Sequence, residues 1–309
     1  MGTVFTIYLY AADRAEANAV FEVAFDEVER LDQTLSNYRP SSELSRINRL
    51  AAREPVTTDP EVFGLLQSAL GFSARTHGAF DITVGPLMRA WGFFRGEGRL
   101  PTDAELQAAQ EKIGFDKVLL DPSRRTVSFA IPGVELDLGA IGKGYAVDRV
   151  AEVLHEAGVK SALIDSGSST VHALGAPPES EGWKVQVPDA RNRRQTLSTI
   201  LLRDQSLSTS GSYEQCFEID GRRYCHVMDP RTGWPVEHVL QATLAAADST
   251  TTDAMSNAIF VLGPEKGREA LTQIPGAQAV WVLEGGADVS QFQWPSLGTR
   301  PLATSLNPG

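Results

Sequence analysis

Three segments of the sequence combine reactive side chains with backbone features that would present them. In YCHVMDPRTGWP, His226 stands where a strand-like run gives way to the turn residues Asp229-Pro230 and Thr232-Gly233. Strand exits into loops often carry site residues. An imidazole titrating near neutral pH is suited to accept a proton from an attacking hydroxyl, although a lone histidine also serves as a structural hydrogen-bonding group. His77 and His155 fall in polar helix ends, and His172 and His238 lack a neighbouring motif. His226 is therefore the candidate base.

In ADSTTTDAMSNAIFVLG, a Ser/Thr run opens a helix on which Asp253, Ser256 and Asn257 stand at i, i+3 and i+4, so that their oxygens share one face. Carboxylate, hydroxyl and amide oxygens suit a hard cation such as Mg²⁺, which takes few protein ligands and shares phosphate oxygens. The competing role for Asp253 is to complement the helix dipole. In ELDLGAIGKGYAVDRVAEVLHEAG, Gly139, Gly142 and Gly144 precede a helix with Lys143 at its entry. That arrangement makes an anion site at a helix N-terminus, or else glycines that serve close packing. It is not a Walker A loop, which would need glycine in place of Asp137 and Ser or Thr in place of Gly144.

The elements that must position these residues follow from periodicity and turn signals. Thr3 to Tyr10 reads as a strand, and Arg14 to Leu35 as an amphipathic helix with Val20, Ala24, Val28 and Leu31 at helical spacing. Further helices are expected from Asp59-Pro60 to Thr76, after Thr102 with Glu105 completing a capping box, from Lys143 to Ala157, from Thr251 to Leu262, and from Glu265 to Ile274. Short strands are expected at 118–120, 126–129 and 134–137, then near Leu163, Val185, Ile200, Phe217, Tyr224 and Ala245, with AVWVL last. Irregular alternation without a βαβ repeat predicts an α+β fold with mixed or antiparallel sheets and flanking helices rather than a doubly wound sheet. A single domain over 1–290 and a loosely held tail over 291–309 are expected.

With 42% hydrophobic and 22% charged residues over 309 positions, disorder and coiled coil are excluded. No apolar stretch approaches the ~18 residues of a membrane helix. The net charge of −11 disfavours a sequence-independent hold on nucleic acid or anionic lipid, and implies that any phosphate site here comes with a cation. The cluster Arg191, Arg193, Arg194 reads as a solvated loop. Asp220-Gly221 between two strand-like runs is a hairpin signal. A two-residue turn there would face Cys216 with Cys225 as a closely spaced, non-hydrogen-bonded pair. The pair is either a cross-strand disulfide, which would imply an oxidising compartment, or two packed free thiols.

Together these segments resemble the ApbE-type FAD:protein FMN transferases. The matching motifs are MGT at 1–3, LSNYRPSSELSRIN at 35–48, GAFDITVGPLMRAWGF at 78–93, DLGAIGKGYAVD at 137–148, CHVMDPRTGWP at 225–235 and TDAMSNAIFVLG at 252–263. They occur in family order over nearly the whole chain. The resemblance implies an FAD site lined by Met1, Tyr38, Ala79, Phe80, Asp81, Asp137, Lys143 and Val227. It also implies a bound Mg²⁺ held by Asp253 and the Ala140 carbonyl, and His226 as general base.

The implied reaction is transfer of FMN from FAD to a Thr or Ser of an acceptor protein, with release of AMP. Members commonly act outside the cytoplasmic membrane, which agrees with a disulfide and implies a periplasmic or otherwise extracytoplasmic location with any leader removed. The chain departs from the family at Asn257, where threonine is usual, and at Gly167-Ser168-Ser169, where a glycine pair and an acid are usual. Two alternatives stay open: a metal-dependent FAD pyrophosphatase yielding FMN and AMP, and a flavin-binding carrier without catalysis.

Overall fold

The computed structural model describes residues 3–96, 98–213, 215–285 and 289–294. Its first half runs β1 (Phe5–Leu9), α1 (Arg14–Leu35), α2 (Glu43–Leu50), β2 (Val56–Thr57), α3 (Pro60–Arg75), α4 (Gly85–Ala90), α5 (Asp103–Gln110), β3 (Val118–Asp121), β4 (Thr126–Phe129) and α6 (Gly142–Glu156). The second half runs β5 (Ala162–Ser166), β6 (Thr170–Leu174), β7 (Trp183–Asp189), β8 (Asn192–Leu202), β9 (Gln205–Gly211), β10 (Cys216–Ile219), β11 (Arg222–Cys225), β12 (Met228–Asp229), β13 (Trp234–Pro235), β14 (Val239–Ala246), α7 (Ser249–Leu271), β15 (Gln278–Leu283) and β16 (Val289–Phe292). A seven-stranded sheet in the order β1-β5-β6-β9-β14-β15-β16 forms the centre. Every neighbouring pair in it is antiparallel. The architecture is α+β, as expected.

Helices α6 and α7 lie side by side against this sheet, with α1 packed on α6. Their apolar faces bury Val147, Val150 and Leu154 from α6, and Ala258, Ile259 and Phe260 from α7. The β7–β8 hairpin contributes Val187, Leu197, Ile200 and Leu202 to a separate cluster with Leu207, Val280 and Val282 of the sheet. A third cluster gathers Trp91, Phe93 and Leu106 around Tyr224 and Met228, beneath the β10–β11 hairpin.

Several boundaries match their local chemistry. Helix α1 starts where Asp13 accepts from the Ala15 and Glu16 amides, and α5 opens on the full Thr102/Glu105 capping box. The two helices expected on either side of Gly263 are joined across a kink there, with Gly263 at φ 71° followed by Pro264. The strand expected at 134–137 does not form: this segment belongs to no sheet. Its hydrogen bonds go instead to Asn48, which receives the Leu136 amide and donates to the Leu136 carbonyl, and to the Ile82 carbonyl, which takes the Asp137 amide. Strand β16 runs through Phe292, into the segment expected to be a loose tail; residues 295–309 lie outside the described residues.

Candidate active site

Strand β11 ends at Cys225, and His226 follows in the lining of a cleft of about 340 Å³. Several contacts fix this exit. Cys216 and Cys225 face each other in the register set by the Asp220-Gly221 turn and form a disulfide with a Cα–Cα distance of 4.1 Å. The His226 amide donates to the Gln215 carbonyl at 2.9 Å, and Val236 donates to the Val227 carbonyl at 3.0 Å. Beneath the hairpin, Trp91 donates its indole N–H to the Gly233 carbonyl at 2.9 Å, and its ring lies 5.5 Å from Tyr224 and 5.1 Å from Trp234. His226 therefore sits on a cross-linked, aromatic-backed scaffold.

Asp253 enters the cleft from α7. Its carboxylate accepts the Gly144 amide at 2.8 Å, at the N-terminal turn of α6, and the Thr170 hydroxyl also supports it. Asp253 is only 2% exposed, so its carboxylate is packed between the helices rather than solvated on the surface of α7. Burial pushes its pKa up, against the opposing pull of Lys143 and the Gly144 amide. The close approach of α6 and α7 explains the glycine: a Cβ at Gly144 would lie 2.1 Å from the Ser249 carbonyl oxygen and 2.6 Å from the Asp253 Cβ. Here the packing role accounts for the residue. Two of the first three amides of α6 are committed, Gly142 to the Leu138 carbonyl and Gly144 to Asp253, so little of the helix terminus is left for an anion.

Asn257, one turn beyond Asp253, donates to the Asp253 carbonyl at 2.9 Å and approaches the Ala140 carbonyl at 3.5 Å. Asp253, Asn257 and Ala140 thus converge on one wall of the cleft. Ser256 is turned elsewhere: its hydroxyl meets Ser210 at 2.9 Å and the Asp253 carbonyl at 3.1 Å, fully buried behind that wall. Among the described residues no group of three His, Cys, Asp or Glu side chains clusters as a metal site. A hard-cation site of one carboxylate with carbonyl and amide oxygens has a different composition; Asp253, the Ala140 carbonyl and Asn257 offer these groups, with the Asn257 amide turned so that its Nδ2 faces the two carbonyls and its oxygen would have to rotate toward a cation. The charged side chains lining the cleft also favour it. Asp81, Asp137 and Asp253 face one lysine, Lys143, and an anionic substrate entering that field requires a cation.

The remaining predicted residues line the same cleft: Tyr38, Ala79, Phe80, Asp81, Asp137, Ala140, Lys143 and Val227. Met1 lies outside the described residues. Tyr38 is 68% exposed at the rim and stacks on Phe94, with ring centroids 4.9 Å apart. Asp81 has both oxygens occupied, by the Thr83 amide and hydroxyl at 2.8 and 2.7 Å and by the Phe115 amide at 2.9 Å. Its carboxylate holds the loop that presents Ala79 and Phe80; burial raises its pKa, while these donors oppose the shift. The half-buried Asp137 accepts the Gly139 amide at 2.7 Å, and burial raises its pKa as well.

Sequence reasoning missed the wall contributed by Ser169, Thr209, Ser210 and Gln215. The first three belong to β9 and to the turn before β6, where buried hydroxyls take the positions that apolar side chains usually fill. Ser206 pairs with Thr252 at 2.9 Å and Ser208 with Thr170 at 3.0 Å, as Ser210 does with Ser256. The available signal was the alternation of Ser206, Ser208 and Ser210 in SLSTSG.

The antiparallel α+β scaffold gathers a carboxylate, a histidine and a lysine in one cleft, and comparison with known proteins identifies the family it belongs to. A sequence model of the ApbE family matches residues 1–281, and the chain belongs to that family. An FAD:protein FMN transferase of Klebsiella pneumoniae (strain 342) is 37% identical over 286 residues, covering 92% of this chain and 87% of the relative. One from Haemophilus influenzae is 33% identical, covering 87% of this chain and 80% of the relative. Among solved structures, the ApbE protein of Thermotoga maritima superposes with a TM-score of 0.86 at 33% identity, covering 94% of each chain. The flavin transferase ApbE of Vibrio cholerae gives 0.82 at 27% identity, also over 94% of each.

Proposed function

We propose that this chain is an FAD:protein FMN transferase that moves FMN from FAD onto a threonine or serine hydroxyl of an acceptor protein and releases AMP. The observation that carries the proposal is the meeting of His226 with Asp253, Asn257 and the Ala140 carbonyl in one cleft. A hydroxyl of the acceptor attacks the FMN phosphorus of FAD; its O–P bond forms as the pyrophosphate P–O bond breaks, and AMP leaves. His226 takes the proton from the attacking hydroxyl, a role that matches an imidazole's basicity. Lys143 supplies positive charge beside the phosphates, and Tyr38, Ala79, Phe80 and Val227 bound the flavin nucleotide.

Asp253, Asn257 and the Ala140 carbonyl are the residues that would hold Mg²⁺. The bound ion supplies neutralisation of the pyrophosphate charge, most of what phosphoryl displacement requires. Ser256 supports this site from behind, through Ser210 and the Asp253 carbonyl. The Cys216–Cys225 disulfide supports an oxidising, extracytoplasmic setting.

The test is incubation with FAD and a threonine-bearing acceptor peptide, with Mg²⁺ or with a chelator, followed by flavin fluorescence of the separated peptide. Labelled peptide only with Mg²⁺ is expected. Free FMN with unlabelled peptide would make the chain a pyrophosphatase. Intact FAD in both samples would make it a carrier.

A further inference from the structure

Asp148 lies on α6 outside the cleft, four residues beyond Gly144, and makes a compact set of hydrogen bonds to the start of α7. Its Oδ1 accepts the Ser249 amide at 2.7 Å, and its Oδ2 accepts the Thr250 amide at 2.7 Å and the Thr250 hydroxyl at 2.6 Å. The first two amides of α7 thus end on a carboxylate of another helix, while the N-cap residue of α7, Asp248, accepts the Thr251 amide with its side chain and the Thr252 amide with its carbonyl. Ser249 stands four residues before Asp253. The two helices are therefore joined by two rungs one turn apart, Gly144 to Asp253 and Asp148 to Ser249 and Thr250.

We propose that Asp148 is a positioning residue that sets the depth of Asp253 in the cleft by locking the N-terminus of α7 to α6. The proposal rests on the metal-dependent reading above. The Asp253 carboxylate reaches the cleft at the level of the Ala140 carbonyl only if α7 is held at one height along α6. Gly144 permits the close approach, because the Ser249 carbonyl lies where its Cβ would be, but close contact alone does not prevent sliding along the helix axis. Asp148 supplies the longitudinal restraint. It binds two backbone amides that otherwise have no partner within α7, the usual deficit of a helix start, and its negative charge complements the positive end of that helix. The neighbouring His172 contacts the Ser249 hydroxyl at 3.2 Å and lies 3.9 Å from Asp148. It reaches no backbone amide of α7 and is a packing neighbour of the latch.

Direct binding of Mn²⁺, followed by electron paramagnetic resonance without turnover, reads the effect separately from activity. Loss of a supporting contact behind a metal ligand commonly weakens metal affinity about 10–100-fold, and Asp148→Ala is expected to fall in that range while FAD affinity at saturating Mn²⁺ stays unchanged. Asp148→Asn keeps one acceptor and serves if the alanine variant fails to fold; it is expected to give a smaller loss of the same kind. Thr250→Val, which removes only the hydroxyl contact, should give the least. Mn²⁺ binding that requires Asp253 but is unchanged in folded Asp148 variants would overturn the proposal alone. So would a parallel fall of Mn²⁺ and FAD affinity that tracks melting temperature. Mn²⁺ binding by the wild type that is undiminished in Asp253→Asn would overturn the metal reading, and the proposal with it.

Discussion

Replacing Gly144 with alanine tests whether the α6–α7 contact is as close as the structure has it. In an ordinary helix interior the substitution stabilises by about 1 kcal/mol. Here the new methyl would sit 2.1 Å from the Ser249 carbonyl oxygen and 2.7 Å from its carbon, both backbone atoms that no side-chain rotation can move aside. The helices must separate, at the ~1–3 kcal/mol typical of overpacking, and the charge-assisted bond from the Gly144 amide to Asp253 is lost, worth about 1.5–3 kcal/mol. Against the gain in propensity, the net loss is about 1.5–5 kcal/mol. Gly71 is the internal control: it lies in α3 with nothing within 4 Å of a Cβ, so Gly71→Ala should stabilise by about 0.5–1 kcal/mol. Urea unfolding of both variants gives the comparison through the shift in midpoint. If Gly144→Ala matches Gly71→Ala in sign, the helices are not in contact at this point and the placement of Asp253 is wrong.

Three further outcomes are expected. Reducing the Cys216–Cys225 bond, which closes a loop with a sequence separation of 9, should cost up to about 2–3 kcal/mol of stability and slow any reaction that depends on His226; mass analysis after alkylation without reductant should find no free thiol in oxidised protein. Asp253→Asn keeps an acceptor for the Gly144 amide and removes a buried charge, so the metal-free variant should melt no lower than wild type but gain nothing from added Mg²⁺; retention of the wild-type Mg²⁺ stabilisation would place the metal elsewhere. Burial lowers the pKa of His172 below its ordinary 6.5, against the opposing charges of Asp148, Asp204 and Asp248. The unfolded chain therefore binds that proton first, and stability should fall as pH drops from about 7 to 5; His172→Gln should flatten that part of the profile, and an unchanged slope would show that the histidine is accessible when folded.

Much of the fold was legible because its elements carry strong local signals. Arg14 to Leu35, the Thr102 capping box, the break at Gly263 and the pairing of Cys216 with Cys225 all follow from side-chain periodicity or turn chemistry that acts within a few residues. Strands β6 and β9 were illegible for a physical reason. Their inward positions hold Thr170, Ser206, Ser208 and Ser210, whose hydroxyls satisfy one another and α7 across long sequence separations. A buried polar seam reads as a loop until its partners are known. The same limit applied at 134–137, where Asn48 stands in for a neighbouring strand.

Within the site, the sequence named Asp253, Asn257, Lys143 and His226 without showing that Asp253 is buried or that Gly144 serves the helix contact. Those are properties of tertiary approach. The placement of Ser256 differs from the helical-face argument because i+3 on α7 points toward β9, and only i and i+4 reach the cleft.

The most direct test of the account is the fate of FAD in single-turnover reactions of the wild type and His226→Ala with a threonine acceptor peptide and Mg²⁺, read by intact mass of the peptide and by AMP release. The account predicts one AMP for each peptide that gains FMN, and a rate about 10²–10⁴-fold lower in the variant with FAD affinity and melting temperature retained. AMP matched by free FMN instead of labelled peptide, or near-normal transfer by His226→Ala, would contradict it.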